Sequence, residues 1–224
     1  EDKEFMALLA AADTLDTKMK SGDITDILRK PEFWILFIGV FCFMLPMGAI
    51  KGHVVAYMTD LGYSPQMAAN ILTITIFTVI PGKPCTGYFF DRFNSRVSTV
   101  ICGLCMTVGI FLLLGAPASI IFAIGFGAIY GFGSAMASVG IPLVLKDTVE
   151  TGANFATVFS IINIAFGLST ALGPITMAAI QANTGWYKIA LILSGTLIGI
   201  GYIFTLIALT VSKKKKREGK AASV

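Results

Sequence analysis

Six apolar runs follow one another along the chain, at about 33–58, 66–90, 97–115, 119–145, 153–180 and 186–211. At 1.5 Å of helix per residue each is long enough to cross the roughly 30 Å hydrocarbon core of a bilayer. The polar segments between them are short and rich in turn formers. Asp60, Gly62 and Pro65 fall in the first, Asp91, Asn94 and Arg96 in the second, Gly115 and Pro117 in the third, Lys146 and Asp147 in the fourth, and Asn183 and Gly185 in the last. Connections this short set consecutive spans antiparallel. The runs are apolar on all sides and lack the alternation of a membrane barrel strand, so helices are predicted throughout. The pattern therefore predicts an all-α integral membrane protein with six transmembrane helices over 33–212. A polar lead-in at 1–32, with one amphipathic stretch at 5–10, precedes them and reads as a cytoplasmic linker. A basic cytoplasmic tail at 213–224 follows.

Composition sharpens this picture. Of 224 residues, 55% are hydrophobic and 13% charged, against roughly 25% charged in soluble domains. The charge is concentrated in the lead-in and in the run at 213–220, which excludes both a soluble core and a disordered chain. The net charge of +4 comes largely from that terminal run, which reads as a topology and lipid-headgroup signal and argues against nucleic-acid binding. Arg29, Lys30, Arg92, Arg96, Lys146 and the terminal cluster fall on one side of the predicted membrane and Lys188 on the other. Both ends are therefore expected in the cytoplasm, with the spans in the plasma or inner membrane. The chain begins with Glu1, not Met, so a fragment or processed piece is expected. Cys42, Cys85, Cys102 and Cys105 lie in apolar runs. The Cys102 and Cys105 spacing lacks a second ligand pair, so all four are read as small hydrophobes, and no metal or cofactor is expected.

The residues least suited to lipid are Lys51, His53, Lys83 and Asn163. An ionisable group at the bilayer centre costs about 2.5–3.5 kcal/mol or more unless it faces a polar cavity. Lys51, 18 residues after Phe33, reaches the far headgroups and reads as a snorkelling lysine. His53 is the only histidine, so any imidazole proton chemistry must use it, and it is the proton-coupling candidate. Lys83 stands eight residues before Asp91, about 12 Å inside that face. Pro81, Gly82 and Pro84 around it are expected to break the helix, and a cation beside freed backbone groups suits an anion. The alternative is a snorkelling lysine on a kinked helix. Asn163 either hydrogen-bonds substrate or packs. The glycine-rich fourth span fails a nucleotide fingerprint, because Tyr130 replaces the last glycine of a match starting at Gly125 and no strand precedes it. Gly127 and Gly131 at four-residue spacing point instead to close, sliding helix contacts.

Gly87, Asp91, Arg92 and Arg96 form a G-x-x-x-D-R-x-x-x-R pattern in the turn after the second span. It resembles the cytoplasmic signature between the second and third helices of each half of a major facilitator superfamily transporter. The resemblance implies a latch in which Gly87 permits close helix approach and Asp91 pairs with Arg92 or Arg96 or faces a helix N-terminus. Arg29 to Trp34, His53 to Tyr57 with Asp60 and Gly62, Pro84 to Gly87, and Gly173 and Pro174 with Thr184 to Tyr187 resemble the C-terminal half of the oxalate/formate antiporter and monocarboxylate transporter branch. The likeness covers about residues 26–212. It implies a six-helix half built as a 3+3 inverted repeat, partnered by an N-terminal six-helix half. In that branch an Arg-Pro pair binds the substrate carboxylate, and the matching position here is Lys83 with Pro84, which keeps the charge and loses the bidentate fork. No Lys or Arg occurs in 153–180, where oxalate-type members carry a lysine. The expected function is alternating-access transport of a small organic anion, a monocarboxylate, by proton symport or anion exchange. Lys83 is the anion's positive partner, Tyr57, Asn163 and Tyr130 are lining residues, and no reaction is catalysed. A neutral-solute transporter and a non-transporting six-helix scaffold or receptor are the alternatives.

Overall fold

The computed structural model describes residues 24–149 and 154–221, with side chains through Lys214. The amphipathic stretch at 5–10 and most of the lead-in lie outside the described residues. All described secondary structure is helical: α1 (Pro31–Asp60), α2 (Pro65–Arg92), α3 (Ser95–Leu114), α4 (Ile120–Ser134), a 3₁₀ turn (Ala135–Ala137), α5 (Gly140–Thr148), α6 (Phe155–Thr184) and α7 (Tyr187–Ala221). Six of these segments are long and apolar enough to cross a membrane, α4 counting together with its 3₁₀ turn.

Local chemistry sets the boundaries. The side chains of Ser64, Asn94 and Ser119 accept hydrogen bonds from first-turn amides and start α2, α3 and α4. Pro31 and Pro65 occupy first-turn positions, where a missing N–H costs nothing. Helix α1 ends in a Schellman pair. Gly62, at φ +89°, donates to Thr59 O at 2.9 Å, and Tyr63 donates to Met58 O at 3.1 Å. Gly185, at φ +74°, ends α6 in the same left-handed region.

Three features differ from the sequence reading. The fourth span is not one helix over 119–145: it breaks at Ala135–Ala137 and restarts at Gly140. Pro142 then falls in the first turn of α5, where it needs no partner for a missing amide. Helix α2 runs unbroken through Pro81 and Pro84, so the backbone around Lys83 is helical and not open. Each proline removes one hydrogen bond, and the flanking turns hold the rest. The basic run does not begin a separate tail at 213, because α7 continues through it to Ala221.

The packing has an internal exchange symmetry. Helix α1 lies between α6 and α7 as α4 lies between α2 and α3, and α3 meets α7 along the seam. Swapping α1, α2 and α3 for α4, α6 and α7 leaves this pattern unchanged. Glycines mark the same exchange. A Cβ on Gly82 of α2 would strike Phe132 O and Ala135 of the fourth span, and one on Gly173 of α6 would strike Leu45 O and the Ala49 amide of α1. Gly109 of α3 sits on the Tyr130 backbone as Gly201 of α7 sits on the Phe43 backbone. Each pair is separated by about 90 residues, the signature of a 3+3 repeat. Between lipid-solvated helices, such backbone-level approach supplies the van der Waals contact that holds a bundle together. Ser169 adds a bond to Phe41 O at 3.1 Å.

Candidate functional site

Helices α2 and α6, equivalent under the exchange, are the least enclosed of the six spans, and they carry Lys83 and Asn163. Lys83 is exposed, about 14 Å along the axis from the end of α2. It has no hydrogen-bond or ion-pair partner among the described residues. Gly82 next to it seats α2 against Phe132, and Thr78 reaches across to Gly127 O at 2.9 Å, so the stretch bearing the ammonium group is fastened to α4. Asn163 is exposed and donates to Phe159 O in its own helix at 3.1 Å, leaving its side-chain oxygen free. At helical spacing one edge of α6 carries Ser160, Asn163, Gly167 and Thr170, while the adjoining edge carries Ile164, Leu168 and Ile175. The open surface of α6 is thus divided into a small, polar strip and a lipid-like one. No hydrogen bond links Lys83 to Asn163.

The two tyrosines expected beside the anion are core residues. Tyr130 is fully buried, packed at a tilt against Phe126 at 5.0 Å between centroids, and its hydroxyl has no partner among the described residues. Tyr57 is 6% exposed and donates to Leu113 O at 3.3 Å, while Tyr63 donates to Ala116 O at 2.8 Å. Together they pin the ends of α1 and α3. Gly109 of α3 leaves room for the Tyr130 backbone and Cβ, so α3 and α4 meet closely at that tyrosine.

His53 ties three helices together. Its Nε2 lies 3.0 Å from Pro174 O of α6 and its Nδ1 3.5 Å from the Tyr187 hydroxyl of α7. A carbonyl only accepts, so Nε2 carries the hydrogen and Nδ1 is left to accept from Tyr187. Tyr57 packs edge-on against Tyr187 at 5.8 Å, and Asp60 stands near the same hydroxyl.

The opposite end holds the signature residues. Asp91 and Arg92 are exposed and make no hydrogen bond or ion pair among the described residues, so the expected pairing with Arg96 is not formed. A Cβ on Gly87 would meet nothing within 4 Å, so this glycine serves no close approach inside the six-helix unit. The anion at the start of α3 is instead Asp147 of α5, which accepts from the Ser95 hydroxyl and, through its carbonyl, from Ser212 of α7 at 3.4 Å. Lys213 reaches Asn94 Oδ1 at 2.8 Å, and Arg96 turns from Asp91 toward Leu209 O at 3.4 Å. Sequence reasoning missed Asp147, Lys213 and Tyr187 as partners. Asp147 was visible as one of two acids in the fourth turn, with Glu150, but only the three-dimensional neighbourhood assigns it to Ser95.

Comparison with known proteins agrees with the fold. The family model described as Major Facilitator Superfamily matches residues 22–223. The chain is 25% identical over 188 residues to "MFS-type transporter 1" of Ophiocordyceps sp. (strain BCC 1869), covering 82% of this chain and 39% of that protein. It is 24% identical over 160 residues to monocarboxylate transporter 13 of Bos taurus, covering 69% and 37%. The crystal structure of the E. coli fucose:proton symporter FucP superposes with a TM-score of 0.69 at 16% identity, covering 84% of this chain and 45% of that one. The chain thus spans less than half the length of each of these proteins. With six apolar helices, a 3+3 exchange and a family match over nearly its whole length, this multi-pass membrane protein belongs to the Major Facilitator Superfamily.

Proposed function

We propose that the chain forms one six-helix half of a transporter that moves a small organic anion, a monocarboxylate, by alternating access coupled to proton symport or anion exchange. Family members are transporters and not enzymes. The observation that carries the reading is Lys83: an unpartnered cation within an apolar helix, on an open face and fastened in place by Gly82 and Thr78. In a low-dielectric setting such a charge calls for an anion, and a carboxylate supplied from solution satisfies it. The kinship with a protein named as a monocarboxylate transporter supports the same substrate class. In this reading Lys83 and Asn163 face the substrate, Tyr57 and Tyr130 brace α1 and α4 from behind, and His53 is the proton-carrying group. The open faces of α2 and α6 meet an N-terminal six-helix half, and the Arg96 end lies in the cytoplasm.

The test is uptake of labelled lactate by the complete transporter, competed with formate, oxalate and glucose at two external pH values. Competition by formate and not by glucose is expected. Competition by glucose alone would replace the anion with a neutral solute, and no saturable uptake of any of them would leave the scaffold reading.

A further inference from the structure

Away from the proposed cavity, on the α3–α7 seam, an apolar crevice of about 250 Å³ opens between the two helices. Ile110, Phe111 and Leu114 form one wall and Leu191, Ile192 and Gly195 the other. The crevice is created by small residues. A Cβ at Gly195 would meet only Ile110, at 3.6 Å, and one at Gly199 would meet nothing within 4 Å, so α7 stands off from α3 here. Around it the helices present Leu104, Val108, Phe111, Ile192, Ile200 and Ile203, all exposed. In a membrane-spanning bundle that surface is solvated by acyl chains.

What distinguishes this crevice from the rest of the lipid-facing surface is its mouth. Lys188 lies on the same face of α7 as Ile192 and Gly195, at helical spacings of four and seven. It is exposed and has no partner among the described residues. A helical side chain leans toward its own N-terminus, so the ammonium group rises from the crevice toward the membrane surface at the Tyr187 end. Trp186 beside it is 69% exposed, the placement of an indole at the headgroup level. A cation, an amphipathic ring and an apolar slot one to two turns below them match, in order, a phosphate, a glycerol-ester region and an acyl chain.

We infer that the α3–α7 crevice is a specific phospholipid site, with one acyl chain between Ile110 and Ile192 and the headgroup phosphate on Lys188. The site prefers anionic phospholipid, because a single lysine neutralises phosphatidylglycerol while a choline headgroup brings its own cation to compete. It lies outside the proposed substrate cavity, so it stands whatever that substrate is.

The test is native mass spectrometry of the intact chain, released from detergent with added phosphatidylglycerol or phosphatidylcholine. One tightly held phosphatidylglycerol per protein is expected, with phosphatidylcholine bound at least tenfold more weakly. Lys188→Gln should lower phosphatidylglycerol affinity about tenfold and erase the headgroup preference. Gly195→Leu, whose Cβ meets only Ile110 at 3.6 Å and whose remaining atoms extend into the slot, should lower retention of both lipids. Size-exclusion profiles matching the parent protein confirm that both variants fold. Unchanged retention in Gly195→Leu would overturn the crevice as the chain's seat, unchanged preference in Lys188→Gln would overturn the headgroup contact, and equal binding of the two lipids by the parent protein would overturn the site's specificity.

Discussion

Lys83 is an ammonium group on a helix whose exposed neighbours include Ile76, Phe77 and Ile80, so its charge, more than its shape, gives it a function. Replacing it with Gln removes the charge and keeps a hydrogen bond, which does not offset the desolvation of a carboxylate. Lys83→Gln is expected to abolish anion uptake per folded transporter, while Lys83→Arg keeps part of it by restoring a cation with two parallel donors. Equal uptake by the Gln variant and the parent would remove the anion from the mechanism. Tyr130 offers the opposite case at the same scale. A buried hydroxyl without a partner costs about 1–3 kcal/mol, so Tyr130→Phe should leave thermal stability in detergent unchanged or raise it by about 1 kcal/mol. A clear loss of stability would show that the hydroxyl is bonded to an ordered water. Lys83 was legible in the sequence because a charge inside an apolar run is conspicuous in one dimension. The burial of Tyr57 and Tyr130 was not, because an aromatic ring in a membrane helix reads alike whether it faces a cavity, lipid or a glycine on the next helix.

Helix contacts here are set by single glycines, which makes some substitutions severe and others silent within the bundle. Gly173→Leu would drive a side chain into Leu45 O and the Ala49 amide, backbone atoms that cannot move aside, and is expected to cost about 1–3 kcal/mol and most of the monodisperse protein. Gly87→Ala meets open space and should leave the size-exclusion profile and melting temperature unchanged, so any loss of uptake it causes must arise outside the described unit. A similar contrast separates the two acids of the Arg96 end. Asp147→Ala frees Ser95 at the start of α3 and should lower stability by about 1 kcal/mol. Asp91→Asn should leave stability unchanged and impair turnover with little change in substrate affinity. A destabilised Asp91→Asn would place that carboxylate in the bundle's own framework. The number, type and order of the spans were legible because six apolar runs and five turns leave few alternatives. The break at Ala135–Ala137 went unread because small residues suit a helix as well as a 3₁₀ turn, although Pro142 marked where a new first turn was permitted. The unbroken α2 shows the converse: two prolines three residues apart can share one stretch of helix when Thr78 and Gly82 hold that stretch against a neighbour.

At the level of the whole molecule, the two least enclosed helices, α2 and α6, are related by the exchange and both carry polar groups on open faces. Under the proposed function the 224-residue chain alone should give no uptake, and co-expression with a six-span N-terminal half should restore it. Robust transport by the purified chain would require two copies to serve as one transporter, which cross-linking through Cys85 of α2 would detect. Helix α7 sets a further scale. Its 35 residues extend about 52 Å, while the hydrocarbon core takes up only about 30 Å. The remaining length continues α7 beyond such a core to Ala221, and the bonds of Ser212 to Asp147 O and of Lys213 to Asn94 Oδ1 hold the start of this extension to the bundle. A fluorescent protein fused after Val224 reports that extension by weak energy transfer to a dye in the near leaflet. Lys214→Pro, which cannot continue the helix, should break the extension, bring the fluorophore down and raise the transfer, turning one added proline into a gauge of how far α7 reaches.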